Sequence, residues 1–138
     1  MMEFNVIARR DNELGSTAIC KQASITLDTA LKGRADAFNP AELLLTALSA
    51  CIIKGIERVS PMLGFSYRRL EVHVHGVRQD APPKMEAIRY EIMIDTDETD
   101  QRLELLHDNI RKYGTVYNTI VPGTKLSGSV VRKDKACV

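Results

Sequence analysis

The sequence has no marked charge bias, no apolar run long enough to span a bilayer, few cysteines and no low-complexity stretch, and each absence excludes something. Nineteen Lys and Arg stand against eighteen Asp and Glu, a formal net charge of +1. That argues against a nucleic-acid partner, since polyanion-binding domains usually carry a basic excess or stripe. The short basic pairs Arg9-Arg10, Arg68-Arg69 and Arg132-Lys133 read as solvated surface. The longest apolar stretch, from about Leu43 to Ile53, is broken by Thr46 and Ser49 and stops at Lys54. It falls short of the roughly 20 apolar residues that cross a membrane. The amino terminus, Met1-Met2-Glu3-Phe4-Asn5-Val6, lacks the charged-then-apolar order of a secretory signal. A cytoplasmic protein with no membrane partner is expected. The three cysteines, Cys20, Cys51 and Cys137, are odd in number and irregularly spaced, which suggests neither a disulfide scaffold nor a zinc ribbon. No glycine-rich phosphate loop occurs, so no cofactor is expected.

What is present is an ordinary globular composition, 44% apolar and 27% charged, in 138 residues. That length suffices for one hydrophobic core. No repeat or linker divides the chain, so a single domain over residues 1–138 is expected. Glu3–Arg10 alternates as a strand through Phe4, Val6 and Ala8; Asp11 to Gly15 is turn chemistry; and Ser24–Ala30 reads as a second strand, the two forming a loose hairpin. Leu70–Val77 and Met85–Asp95 alternate cleanly on either side of Asp80-Ala81-Pro82-Pro83 and read as an antiparallel pair. Leu103, Leu106, Ile110 and Tyr113 recur at helical spacing, giving an amphipathic helix from about Asp97 or Thr99 to Tyr113. A short turn over Thr115–Ile120 and a strand over Leu126–Arg132 complete a ββ-α-ββ-α-β order. The fold class is α+β with mostly antiparallel strands.

The clearest element is the helix from Pro40 to about Val59, ending before Ser60-Pro61. Asn39 fits the N-cap, Pro40 the N1 position and Glu42 the N3 position of a capping box. Apolar residues occupy most of its circumference, the pattern of a helix buried on nearly all sides. A chain this short can bury such a helix only by wrapping a sheet around it or covering it with a second subunit, so a homodimer is expected. Cys51 lies inside this helix. A cysteine so placed ordinarily serves as a small hydrophobe, and twelve residues past the cap it is beyond the reach of the helix dipole. Reactivity would require a cation or hydrogen-bond donor from another segment.

The stretch Asn39-Pro40-Ala41-Glu42-Leu43-Leu44-Leu45-Thr46-Ala47-Leu48-Ser49-Ala50-Cys51 resembles the signature of the OsmC/Ohr family, the osmotically inducible protein C and organic hydroperoxide resistance proteins. Lys112-Tyr113-Gly114-Thr115-Val116-Tyr117-Asn118-Thr119-Ile120 resembles, in part, the family's second motif, Cys-Pro-Val-Ser-Asn-Thr-Leu. The resemblance implies an intertwined homodimer with sheets wrapped around long central helices and active sites at the subunit interface. It also implies thiol peroxidase chemistry, with an organic hydroperoxide as substrate, a peroxidatic cysteine at Cys51 and an external thiol as reductant. In the family a second cysteine resolves the oxidised first one. The aligned position is Gly114, followed by Thr115 in place of proline, so the usual intramolecular disulfide is not expected. Cys137, and after it Cys20, is the candidate substitute, but chance placement is the preferred reading and a single peroxidatic cysteine served by an external thiol is expected. The family's activating glutamate aligns with Ala41. Glu42 lies nine residues before Cys51, on the opposite helix face and about 13 Å away along the axis. It reads better as the capping-box residue, with activation of Cys51 as its second reading. The arginine that holds the thiolate is sought among Arg34, Arg9 and Arg10, with Arg34 preferred. The alternative function is a non-catalytic dimer of this fold that binds a small apolar ligand or partner at the interface cleft.

His73 and His75 share one strand face without a third ligand at metal-binding spacing, so they are expected to be exposed and no metal is expected. His107 is expected to be solvated. Tyr113 and Tyr117 bracket Gly114; packing of the helix against the sheet is the preferred reading, with lining of a pocket over Cys51 as the alternative.

Overall fold

In a computed structural model, which describes residues 1–133, the chain forms two compact units, Met1–Leu44 and Leu45 onward. The first unit holds three strands, β1 (Ile7–Asn12), β2 (Gly15–Cys20) and β3 (Ala23–Leu27), paired as an antiparallel meander in that order. The expected two-strand hairpin is therefore corrected, because β2 lies between its arms. The expected Asp11–Gly15 turn is corrected to Glu13-Leu14: Asp11 and Asn12 end β1 and Gly15 begins β2, with Asn12 Oδ1 accepting from the Leu14 N–H at 2.8 Å. The second reversal is very tight and uses a left-handed Lys21 at φ 56°, which is costly for a residue with a side chain. That left no glycine to mark the turn.

Helix α1 (Pro40–Leu63) starts on a reciprocal capping box. The Glu42 N–H donates to Asn39 Oδ1 at 2.8 Å, and the Asn39 N–H donates to Glu42 Oε1 at 2.9 Å. The expected stop before Ser60 is corrected, since the helix continues through Pro61 to Leu63. Proline removes one helical hydrogen bond. The end is closed instead by Gly64 in the left-handed conformation at φ 61°, with Phe65 N–H donating to Ser60 O at 2.8 Å and Gly64 N–H to Pro61 O at 3.3 Å. This is the pairing of a Schellman C-cap.

The second unit contains strands β4 (Arg69–Asp80), β5 (Pro83–Asp95) and β6 (Lys125–Arg132) with β5 in the centre, and helices α2 (Asp100–Tyr113) and α3 (Thr115–Ile120). β4 and β5 pair antiparallel, as their shared alternation predicts; β6 joins β5 in parallel after the crossover through α2 and α3. Registered pairing puts Val72, Ile92 and Val130 in one row of the inner face, and Val74, Tyr90 and Gly128 in the next. His73, His75, Arg89 and Glu91 face outward and are exposed. This face packs with α1 and α2 around a core of Leu48, Ile52, Ile56, Val59, Ile88, Tyr90, Ile92, Ile94, Leu103, Leu106 and Ile110. Each such side chain contributes about 1.5–3 kcal/mol on burial. Within the chain α1 buries one face, whereas Leu44 and Ile53 remain 39% and 38% exposed. Burial on nearly all sides would need a further surface.

Gly128 is required by its neighbour across the sheet. A Cβ there would clash with the ring of Tyr90. Gly128→Ala is expected to destabilise the protein by about 1–3 kcal/mol through overpacking, whereas Gly123→Ala, whose Cβ meets nothing within 4 Å, is expected to be near neutral. Paired urea melts would check this.

Candidate functional site

Cys51 occupies the flank of α1's buried stripe, between fully buried Leu48 and Ile52 and the exposed face carrying Ala50 and Lys54. Half-buried, it is neither sequestered in the core nor freely exposed. Its sulfur is set against the junction of α2 and α3. A Cβ built on Gly114 would stand 3.2 Å from Cys51 Sγ, 3.0 Å from Tyr117 Cβ and 3.1 Å from Ile110 O. Position 114, which the resemblance aligns with a second cysteine, is thus beside the thiol, and it carries only hydrogen. Gly114 caps α2 through its N–H to Ile110 O at 3.1 Å and also begins α3, its carbonyl accepting from the Asn118 N–H at 2.9 Å.

Beside this junction lies a buried aromatic cluster. Tyr90 of β5 is 1% exposed and its hydroxyl stands 2.6 Å from His107 Nε2 on α2. Their rings meet edge-on with centroids 5.6 Å apart, and Tyr117 of α3 meets Tyr90 edge-on at 6.3 Å. The expectation that His107 is solvated is corrected: it is 7% exposed. It lies four residues after Leu103 and three before Ile110, both buried, so the helical stripe that marked those residues also contained it. Burial, and then the Arg111 guanidinium, push the His107 imidazole down to about 4, with Asp108 opposing. The ring is therefore neutral near pH 7, with one donor and one acceptor nitrogen, and Nε2 shares one hydrogen bond with the Tyr90 hydroxyl. Burial, followed by Tyr117, pushes the Tyr90 phenol up, while Arg111 acts the other way. Tyr117 packs against the core as expected, but the expectation for Tyr113 is corrected: it ends α2, is 51% exposed and carries Lys112 above its ring.

Arg34 and Glu42 belong to the first unit, and each is engaged locally. Arg34 donates through Nε to Asp36 Oδ1 at 2.6 Å, through Nη2 to Asp36 Oδ2 at 2.9 Å, and through Nη1 to Leu14 O at 3.2 Å. This two-point pairing with Asp36 raises the guanidinium further above its ordinary range and lowers the Asp36 carboxyl. The loop is organised by buried Asp28, whose oxygens accept from the Ala30 and Arg34 N–H groups. Asp36 and Asp28 were not singled out by sequence reasoning; the Asp-x-x-x-x-x-Arg-x-Asp spacing was the available signal. Glu42 holds its capping-box position. Arg9 and Arg10 are exposed on β1, and Cys137 lies outside the described residues. His73 is bonded to Glu71 at 3.0 Å. Among the described residues, no group of three or more His, Cys, Asp or Glu is placed to hold a metal.

A family model described as OsmC-like protein matches residues 33–127. The chain belongs to the OsmC-like family. A hydroperoxide reductase of Mycoplasma pneumoniae (strain ATCC 29342 / M129 / Subtype 1) is 30% identical over 80 residues, 58% of this chain. The chain spans 57% of that relative's length. The crystal structure of the OsmC-like protein from Mycoplasma pneumoniae superposes with a TM-score of 0.87 at 24% identity, covering 95% of this chain and 97% of that one. The organic hydroperoxide resistance protein OsmC from Legionella pneumophila gives 0.71 at 16% identity, covering 94% and 97%. An OsmC-like protein of unknown function from Vibrio cholerae gives 0.78 at 15%, covering 95% and 100%. These structures establish the OsmC fold for the α+β chain. No helix among its described residues is long and apolar enough to cross a membrane.

Two outcomes follow from the geometry. Gly114→Cys is expected to form an intramolecular disulfide with Cys51, because a cysteine Cβ sits roughly 3 Å from the far sulfur in such a bond. With Cys20 and Cys137 replaced by serine, mild oxidation should remove both thiols without producing a disulfide-linked dimer. The second concerns acid. Between about 6.5 and 4 the unfolded chain takes up a proton on residue 107 and the folded chain does not, so stability falls as pH drops through that window. His107→Gln should remove this component, on the order of 3 kcal/mol, read as a flatter dependence of the urea midpoint on pH.

Proposed function

We propose that the protein is a thiol-dependent reductase of organic hydroperoxides, acting in oxidative stress defence through Cys51 alone. The observation that carries this reading is the contact of Cys51 Sγ with position 114. A Cβ at Gly114 would stand 3.2 Å from Cys51 Sγ, and this position, which the resemblance aligns with the resolving cysteine, carries no side chain; both support a reading in which Cys51 works alone. The Cys51 thiolate attacks one oxygen of ROOH, the O–O bond breaks, and ROH leaves after taking a proton; the sulfur becomes a sulfenic acid. An external thiol then condenses with it, releasing water and forming a mixed disulfide. A second thiol displaces Cys51 and leaves as the disulfide of the reductant. The net change is ROOH plus two thiols to ROH, water and one disulfide.

Arg34 is the proposed activator of the thiolate. Three of its five N–H groups are used by Asp36 and Leu14, and a guanidinium keeps its charge throughout. Glu42 acts first through the helix start, and any part in activation runs through the position of that turn. The apolar surroundings of Cys51 favour organic peroxides over hydrogen peroxide. We further propose the intertwined homodimer of the family. The half-exposed Leu44 and Ile53 of α1, and Phe4, Val6, Ile7, Ile25 and Phe38 of the first unit, are apolar surface that a second copy would cover. The proposed setting is the cytoplasm, where thiols stay reduced.

The second reading, a non-catalytic dimer binding a small apolar ligand or partner at its interface cleft, is favoured by one observation. The Arg34 charge is already matched by Asp36, and the Glu42 carboxylate by its own helix start. Reaction with cumene hydroperoxide and a thiol separates the two. The enzyme reading expects dimedone to label Cys51 after one equivalent of peroxide, Cys51→Ser to abolish peroxide consumption, and Arg34→Met to slow it ten- to a hundredfold. Peroxide consumption that survives Cys51→Ser intact would sink it.

A further inference from the structure

A neutral imidazole and a phenol buried together lose their hydration, which their mutual hydrogen bond only offsets. Such a pair adds little net stability over apolar packing, and its directional bond instead specifies one arrangement. The arrangement it specifies here leads, contact by contact, to the candidate thiol. Gly128 of β6 leaves room for the Tyr90 ring. Tyr90 on β5 bonds His107 on α2 at 2.6 Å and meets the Tyr117 ring of α3 edge-on. Tyr117 lies three residues past Gly114, its Cβ 3.0 Å from the point where a Gly114 side chain would begin, and Cys51 Sγ lies 3.2 Å from that same point. The charged groups that face the cluster are Arg111 and Asp108 of α2, themselves paired at 2.6 Å.

We propose that His107, Tyr90 and Tyr117 are the positioning residues of the Cys51 site: their contacts hold the first turn of α3, and so the main chain at Gly114, at a set distance from Sγ. This rests on reading Cys51 as the reacting thiol. With no side chain at 114, that flank of the sulfur is bounded by backbone, so a displacement of about 1 Å there changes the space left for a reacting molecule. The three residues act through Gly114 and do not touch the reacting atoms.

The Gly114→Cys protein, with Cys20 and Cys137 replaced by serine, serves as a ruler. Its disulfide equilibrium against a dithiol redox buffer gives the effective concentration of the introduced thiol at Cys51. Tyr90→Phe in that background is expected to lower this concentration at least tenfold. His107→Leu should do the same, while His107→Gln, which keeps an acceptor for the Tyr90 hydroxyl, should restore most of it. Phe65→Leu, a core change beyond the end of α1, is the control for lost stability. If Tyr90→Phe does not fold, Tyr117→Leu replaces it. An effective concentration unmoved by these changes, or lowered as much by Phe65→Leu, overturns the proposal, as does failure of the parent disulfide to form. The ruler works without peroxide. Absence of sulfenic acid at Cys51 in the unaltered protein would therefore count against the proposed function while leaving the positioning result readable.

Discussion

A tyrosine ring laid across a glycine on the neighbouring strand governs how the second unit is assembled. Tyr90 is too large for the inner face of β4–β5–β6 unless the adjacent strand yields volume, and Gly128 yields it. Once seated, the ring places its hydroxyl in the interior, where an unpaired polar atom is costly. His107 on α2 supplies the partner. The ring edge then receives Tyr117 from α3. Sheet, long helix and short helix are thereby bound through one residue, and the backbone between the two helices is brought onto Cys51.

Two features of Cys51 follow from that placement. Its sulfur is neither in the core nor in open solvent, because it stands on the flank of the buried stripe of α1. The surface facing it is main chain, since the aligned partner position carries no side chain. In the function we propose, a small oxidant reaches this thiol and an external reductant returns it to its starting state. Arg34 and Glu42, which we propose as its partners, belong to the first unit, where Arg34 is drawn to Asp36 and Glu42 to the start of its own helix. Each is held in place by the same bond that compensates its charge.

Much of this was legible in the residues. The capping box at Asn39 and Glu42, the pairing of Leu70–Val77 with Met85–Asp95, and the Leu103, Leu106 and Ile110 stripe of α2 each depend on neighbours within one helical turn or one strand repeat, and each formed as read. Tyr113, expected on that stripe, is the last residue of α2 and is exposed. Other features were not legible for reasons that can be named. β2 was passed over because Gly15–Cys20 carries no clean alternation and its following turn uses a lysine in the left-handed region. The end of α1 ran past Pro61 because a glycine C-cap three residues later closed it. His107 is polar, which points to solvent, yet its spacing from Leu103 and Ile110 places it on the buried stripe.

The sequence by itself determined the helix that carries Cys51, the family motif around it and the absence of a side chain at Gly114. Those are local patterns, set by dihedral preference, capping and periodicity. Only the tertiary structure decided that Gly114 lies against Cys51, that Tyr90 and His107 share one buried hydrogen bond, and that Arg34 is already paired. Those contacts join residues from different elements. They depend on which side chains fit together once the elements pack, and no local periodicity encodes that fit.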